Sequence, residues 1–162
     1  MTDLTSPLHT SGDPAATGTG ARQQLMATLA ASSPEALAER FESLPQQTYE
    51  LVRQPETGLV MVRGRMGGTG SPFNLGEVTV TRCVVRLESG ETGSGYSLGR
   101  NKQKALQSAL IDALWQQPEM KARIEAEVIA PLSEAQQAAR ETVREETEAT
   151  KVNFFTMVRG DN

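Results

Sequence analysis

Residues 77–98 read Glu77-Val78-Thr79-Val80-Thr81-Arg82-Cys83-Val84-Val85-Arg86-Leu87-Glu88, then Ser89-Gly90-Glu91, then Thr92-Gly93-Ser94-Gly95-Tyr96-Ser97-Leu98. β-Branched and polar residues alternate through the first block, which predicts a strand over 77–88. Ser89-Gly90-Glu91 predicts a turn, and 93–98 a returning strand thinned by glycine. The alternation slips inside the long strand. Val78 and Val80 point to one face, while Cys83, Val85 and Leu87 continue in the opposite phase. A β-bulge near Thr81-Arg82 resets it, because one extra residue turns every later side chain over. Upstream, 49–53 and 59–65 read as two more strands joined by a hairpin loop over 54–58, and a Gly-rich loop over 66–76 leads into the long strand.

Helices flank this strand block. Residues 22–31 carry Leu25, Met26 and Leu29 on one face. Ser33 offers an N-cap before Pro34, with Leu37, Phe41 and Leu44 at helical spacing and Pro45 ending the run. Asn101 caps a helix striped by Leu106, Ala109, Leu110, Ala113 and Leu114. Pro118 opens another, with Met120, Ile124 and Val128, which Pro131 is expected to close. A charged helix over 132–149 keeps Leu132, Ala135, Ala139 and Val143 on a narrow apolar side. Over 151–159, Val152, Phe154 and Val158 face one way and Phe155 and Met157 the other. A last strand apolar on both faces needs cover on both sides, so an intersubunit contact through Val152, Phe154, Phe155, Met157, Val158 and Arg159 is expected. Residues 1–20 are rich in Thr, Ser, Gly, Pro and Ala and read as a disordered tail, leaving one domain over 21–162. The fold class is α+β, a mainly antiparallel sheet of about five strands with helices packed on it.

Composition narrows the chemistry. The chain has 162 residues, one cysteine, one histidine and 4% aromatic residues. Cys83 alone builds no disulfide framework and no metal site, and on an apolar alternation it reads as a small buried hydrophobe rather than a nucleophile. His9 sits in the tail, so the usual general base and metal ligand are missing from the domain. Too few rings are present for a base-stacking surface, and the net charge of −4 argues against a nucleic-acid coat. No run of 18 apolar residues spans a membrane, and the N-terminus does not read as a signal peptide. Neither a catalytic residue nor a metal site is assigned.

Charge is unevenly spread. Residues 51–104 hold eight basic and four acidic side chains, inside an acidic chain. Such a local positive field attracts anions. Within it, Arg63, Arg65, Gly67, Gly68, Thr69 and Gly70 combine bidentate guanidinium donors with glycines whose N–H groups can converge on an anion. The spacing is neither a Walker loop nor a dinucleotide fingerprint, and a plain flexible connection explains it as well. Arg100, Lys102 and Lys104 surround the helix start at Asn101, where free N–H groups and the macrodipole favour an anion. Exposed, merely tolerated cations are the competing reading there.

Three blocks then resemble one family. They are Gly58 to Gly70 with Pro72-Phe73-Asn74-Leu75-Gly76-Glu77; Thr81-Arg82 with Gly99-Arg100-Asn101-Lys102-Gln103 and Ala109 to Leu114; and Thr150 to Asp161. Together they resemble the G subunits (PhnG) of the bacterial carbon–phosphorus lyase system for phosphonate use, in order across 21–162. The resemblance implies a cytoplasmic subunit of a complex with the H, I, J, K and L proteins of that pathway, the I subunit in direct contact, in two copies per complex. It implies support of a step in which an alkylphosphonate such as methylphosphonate displaces adenine from ATP, giving α-D-ribose 1-methylphosphonate 5-triphosphate. ATP and the alkylphosphonate are then substrates of the complex, and no cofactor is expected on this chain alone. The family carries no motif-defined catalytic residue to transfer. A purely structural scaffold, or a stand-alone anion-binding protein, is the rival reading.

Overall fold

A computed structural model describes residues 14–67 and 69–150. In chain order the elements are α1 (Pro14–Ala31), α2 (Pro34–Glu42), β1 (Tyr49–Arg65), β2 (Pro72–Leu87), β3 (Thr92–Leu98), α3 (Lys102–Trp115), α4 (Pro118–Ile124), a π turn (Glu125–Ile129) and α5 (Ala130–Ala149). The class is α+β with a three-stranded antiparallel sheet in the order β1-β2-β3. The expected fifth strand falls outside the described residues. Helix α1 starts at Pro14, inside the stretch expected to be a tail, and residues 1–13 lie outside the described residues.

Two strand expectations are corrected. The hairpin loop over 54–58 is instead the middle of one 17-residue strand. Pro55 is tolerated because β1 is an edge strand and slips register on either side of Arg53, so no ladder bond depends on the missing donor. The bulge lies in β1, not at Thr81-Arg82: Arg53 faces Val84 and Glu56 faces Arg82, leaving one extra residue on β1. β2 pairs with β3 without a break from Val80↔Leu98 to Arg86↔Thr92, so both apolar phases of β2 are real. Thr81, Cys83, Val85 and Leu87 are buried on the face that carries the helices, and Val80 is buried on the other. The Gly-rich loop shortens as well, because β2 already begins at Pro72.

Helix α3 is the centre of the body, and β3 explains how it gets there. A Cβ on Gly95 would sit 1.9 Å from the Ala105 carbonyl oxygen, and one on Gly93 1.9 Å from that of Ala109. The two glycines thus let strand backbone rest directly on helix backbone. Ala105, Ala109, Ile111, Ala113 and Leu114 are fully or almost fully buried against Cys83, Val85, Leu29, Leu37, Ile124 and Val128. Each large apolar side chain in this cluster contributes about 1.5–3 kcal/mol on transfer from water. The expected caps hold: the Ser33 hydroxyl accepts from Ala36 N at 3.1 Å, and Asn101 Oδ1 accepts from Lys104 N at 2.9 Å.

Pro131 does not end a helix. The rod is continuous from Pro118 to Ala149, and a single π turn precedes the proline, with Ala130 N–H donating to the Glu125 carbonyl five residues back. The wider turn makes room for the ring and removes the need for its absent N–H. Beyond Leu132, the narrow apolar side of α5 is open: Ala135, Ala139 and Val143 are exposed.

Side-chain contacts fix the directions of these elements. Arg22 meets Asp112 and Lys104 meets Ala30 and Ser32, so α1 runs antiparallel to α3. Glu125 meets Trp115 and Gln136 meets Thr28, so the rod ending in α5 runs alongside α1 in the same sense. β3 also runs antiparallel to α3, with Gly93 over Ala109 and Ala113 and Gly95 over Ala105. The β1–β2 ribbon beyond β3 and the outer half of α5 therefore leave the body at the same end.

Candidate anion-binding tip and its arm

β3 supports β2 only from Val80 to Arg86. Beyond Val80, which pairs with Gly58, β2 runs to Pro72 with β1, through to Arg65, as its only strand partner among the described residues, which makes a two-stranded arm. At ~3.3 Å per residue its seven steps project roughly 23 Å. Leu59 and Met61 oppose Thr79 and Glu77 on the face continuous with Thr81 and Cys83, and Leu75 is the extra residue of β2 at the register shift between Val62 and Arg63. On the opposite face Val60 opposes Val78, and Phe73 lies across Gly64, where a Cβ would meet its ring at 3.4 Å. Leu59, Met61 and Leu75 are 62%, 51% and 67% exposed, values foreign to a folded core.

The sequence-singled cations divide between the two ends of this arm. Arg63 and Arg65 close β1 at the tip, both exposed. The turn that follows has Gly67 at φ +61°, and Gly70 N–H donates to the Met66 carbonyl at 3.0 Å. A Cβ on Gly70 would fall 2.5 Å from that same carbonyl oxygen, so this glycine closes the turn. Thr69 is exposed, and Gly68 is outside the described residues. Arg100 and Lys102 are exposed at the base, beside Gly99 at φ +88°, whose N–H donates to Thr79 O at 2.9 Å. Thr79 pairs with Leu59, six residues short of Arg65, so tip and base are about 20 Å apart along the strand. The fold does not bring the two groups into one pocket.

Lys104 leaves the candidate set. It is buried, and its amine donates to Ala30 O at 2.7 Å and Ser32 O at 2.6 Å, tying down the carbonyl end of α1. Burial pushes its pKa below the ordinary lysine value. The other exposed arginines of the sheet, by contrast, are matched within it: Arg82 and Arg53 to Glu56, Arg86 to Glu50. Among the described residues Arg63, Arg65, Arg100 and Lys102 have no such carboxylate.

A hollow of about 280 Å³ between α1, β3 and α3 is lined by Met26, Leu29, Ala30, Ser94, Tyr96 and Ser108, and one of about 220 Å³ between the end of α2, the start of β1 and α3 by Phe41, Tyr49, Leu106, Gln107, Leu110 and Leu114 among others. Neither is lined by a charged side chain. Among the described residues no group of three His, Cys, Asp or Glu could hold a metal ion, and no helix is long and apolar enough to cross a membrane. Cys83 is buried, its thiol 3.5 Å from Arg53 O, and burial pushes its pKa up. Val152, Phe154, Phe155, Met157, Val158 and Arg159, the expected partner contacts, lie outside the described residues.

Sequence reasoning missed the most constrained polar cluster. Asp112 is fully buried and accepts from Arg22 Nε and Nη2, each at 2.8 Å, and from Ser94 N–H at 2.8 Å. That pairing raises the Arg22 pKa further. The signal available was a lone acid inside the apolar run Ala109-Leu110-Ile111-Asp112-Ala113-Leu114.

With this geometry in place, comparison with known proteins gives a coherent answer. The family model described as phosphonate metabolism protein PhnG matches residues 20–160. The α-D-ribose 1-methylphosphonate 5-triphosphate synthase subunit PhnG of Rhizobium meliloti (strain 1021) is 52% identical over 113 residues, covering 68% of this chain and 70% of the relative. The match takes in the arm, the α3 helix and the body between them, and the chain belongs to the PhnG family of phosphonate metabolism proteins.

Proposed function

We propose that this chain is the G subunit of a multisubunit synthase that makes α-D-ribose 1-methylphosphonate 5-triphosphate, and that it lends cations rather than a catalytic group. In the reaction, a phosphonate oxygen attacks C1′ of the ATP ribose, the bond to adenine breaks, and the base leaves with a proton. Both substrates and the product are polyanions. The observation that carries the reading is the arm, which holds Arg63 and Arg65 far from the body with no carboxylate partner among the described residues. Such guanidinium groups suit phosphate or phosphonate oxygens in a site that another subunit completes. Gly67, Thr69 and Gly70 belong to the same tip, with Gly68 between them in sequence, and Arg100 and Lys102 add positive potential at the base. ATP and the alkylphosphonate are bound by the complex, whose other members are the H, I, J, K and L proteins, with the I subunit adjoining this chain and two copies of this chain in a cytoplasmic assembly.

The test is turnover of the reconstituted synthase at limiting ATP. Arg63→Ala with Arg65→Ala is expected to lower kcat/KM ten-fold or more while the complex stays intact. Unchanged turnover would replace this reading with a structural scaffold. Nucleotide binding by the isolated chain at the affinity of the complex would point instead to a stand-alone anion-binding protein.

A further inference from the structure

We infer that the shaft of the β1–β2 arm is the element that docks this chain into another synthase subunit, inside an apolar cleft that closes on both faces of the ribbon. The inference rests on the proposed function for the existence of a partner, and on independent observations for the surface. Leu59 and Met61 stand exposed on one face, with Leu75 exposed at the register shift beside them; Phe73 on the arm and Leu98 at its base, 43% and 69% exposed, stand on the other. A two-stranded ribbon is marginal in water, yet this one extends well past β3 with no third strand or covering helix among the described residues. Clustered apolar side chains on such an element mark an interaction surface.

The distribution over two faces chooses the occupant. A second copy would lay one flat ribbon face on another and leave Phe73 and Leu98 in water. The exposed apolar side chains of one face alone also fall short of the ~800 Å² per partner of a stable interface. A cleft covering both faces buries all five. It also carries the Arg63–Arg65 tip to its far end, so the shaft anchors what the tip delivers.

Leu59→Asp with Met61→Asp, co-expressed with the other synthase subunits, tests this. Recovery of partner subunits is expected to fall at least ten-fold, while the isolated variant keeps the wild-type thermal transition, since both side chains lie outside the core. Stoichiometric recovery of the complex would overturn the inference. So would a wild-type dimer of the isolated chain that the variant dissociates. Should the variant fail to fold, hydrogen exchange on the wild-type chain decides: amides over 58–79 protected at least a hundred-fold more in the complex than alone support docking, and equal protection overturns it. The arginine variants of the proposed function change turnover with assembly intact, so failure of either claim is visible separately.

Discussion

The body and the arm are built from the same two strands, yet they treat their surfaces in opposite ways. Around α3, the polar edge of β3 is closed from within. Thr92 O accepts from Arg22 and Gln116, Ser94 N–H donates to Asp112, and Thr81 Oγ1 donates to Gly99 O. Past Val80, among the described residues, the ribbon has neither a third strand nor a helix over it, and Leu59, Met61, Phe73 and Leu75 are exposed. The difference separates what the chain does for itself from what it offers to others. Among the described residues the Ser97 and Ser108 hydroxyls are the buried side-chain groups left without a hydrogen-bond partner in the body, whereas the arm has leucine and methionine where a solvated hairpin would carry polar residues.

The sharpest way to break this comparison is at the closest approach in the body. Gly95→Leu forces a side chain into the space of the Ala105 carbonyl, where even a Cβ meets oxygen at 1.9 Å. No rotamer relieves a backbone clash, so the strand must leave the helix. We expect no cooperative thermal transition and little soluble protein; a folded variant would mean that α3 can move off the sheet.

Asp112→Ala is next. The change leaves the Arg22 guanidinium, the Ser94 N–H and the neighbouring strand edge without their acceptor. Arg22 is partly exposed and recovers some hydration, which discounts the cost to about 2–3 kcal/mol. Urea denaturation reads it directly, and a shift below ~1 kcal/mol would show that water substitutes for the carboxylate.

How much of this was legible in the sequence follows from the distance over which each feature is decided. The caps at Ser33 and Asn101 are settled within four residues and were read correctly. Pro55 and Pro131 misled for one reason: each was read as a breaker, whereas an edge strand and a π turn absorb the missing donor without ending the element. The Arg22–Asp112 pair joins residues 90 positions apart, which no local pattern reports. Gly93 and Gly95 were visible as a thinned strand, but their reason is the backbone of a helix that comes later. At the candidate site, Arg63, Arg65 and the glycines were read as one group from their closeness in sequence, and Arg63, Arg65, Gly67 and Gly70 lie together at the end of the arm. Their separation from Arg100 and Lys102 became visible only when 49–65 proved to be one strand, which sets the length of the arm.

A smaller effect sharpens the body side through pH. Cys83 is buried and its thiol titrates above the ordinary range of about 8.5. Between that value and the raised one, the unfolded chain has lost a proton that the folded chain keeps, so stability falls as pH rises. Lys104 acts the other way, its lowered pKa making stability rise with pH below the ordinary lysine value. The difference in stability between Cys83→Ala and wild type cancels the lysine, and is expected to shift in favour of the variant from about pH 8.5 upward. A flat difference to pH 10 would mean that the thiol is solvated and that this face of the sheet is less closed than its packing indicates.

The smallest effect expected is the most telling for the arm. Leu59→Ala or Met61→Ala in the isolated chain removes side chains that are more than half exposed and touch no buried cluster. Truncation there deletes little burial, so the midpoint of urea unfolding should move by less than ~0.5 kcal/mol equivalent. The same truncation of Leu29 or Leu37, each almost fully buried in the body, should cost about 2–5 kcal/mol. Leucine at Leu59 then cannot be accounted for by the stability of the free subunit, and its contribution has to appear as burial in an assembled state. A loss above ~1.5 kcal/mol at Leu59 would reverse the argument, because the arm would then already be packed against its own chain and would have no apolar face left to offer.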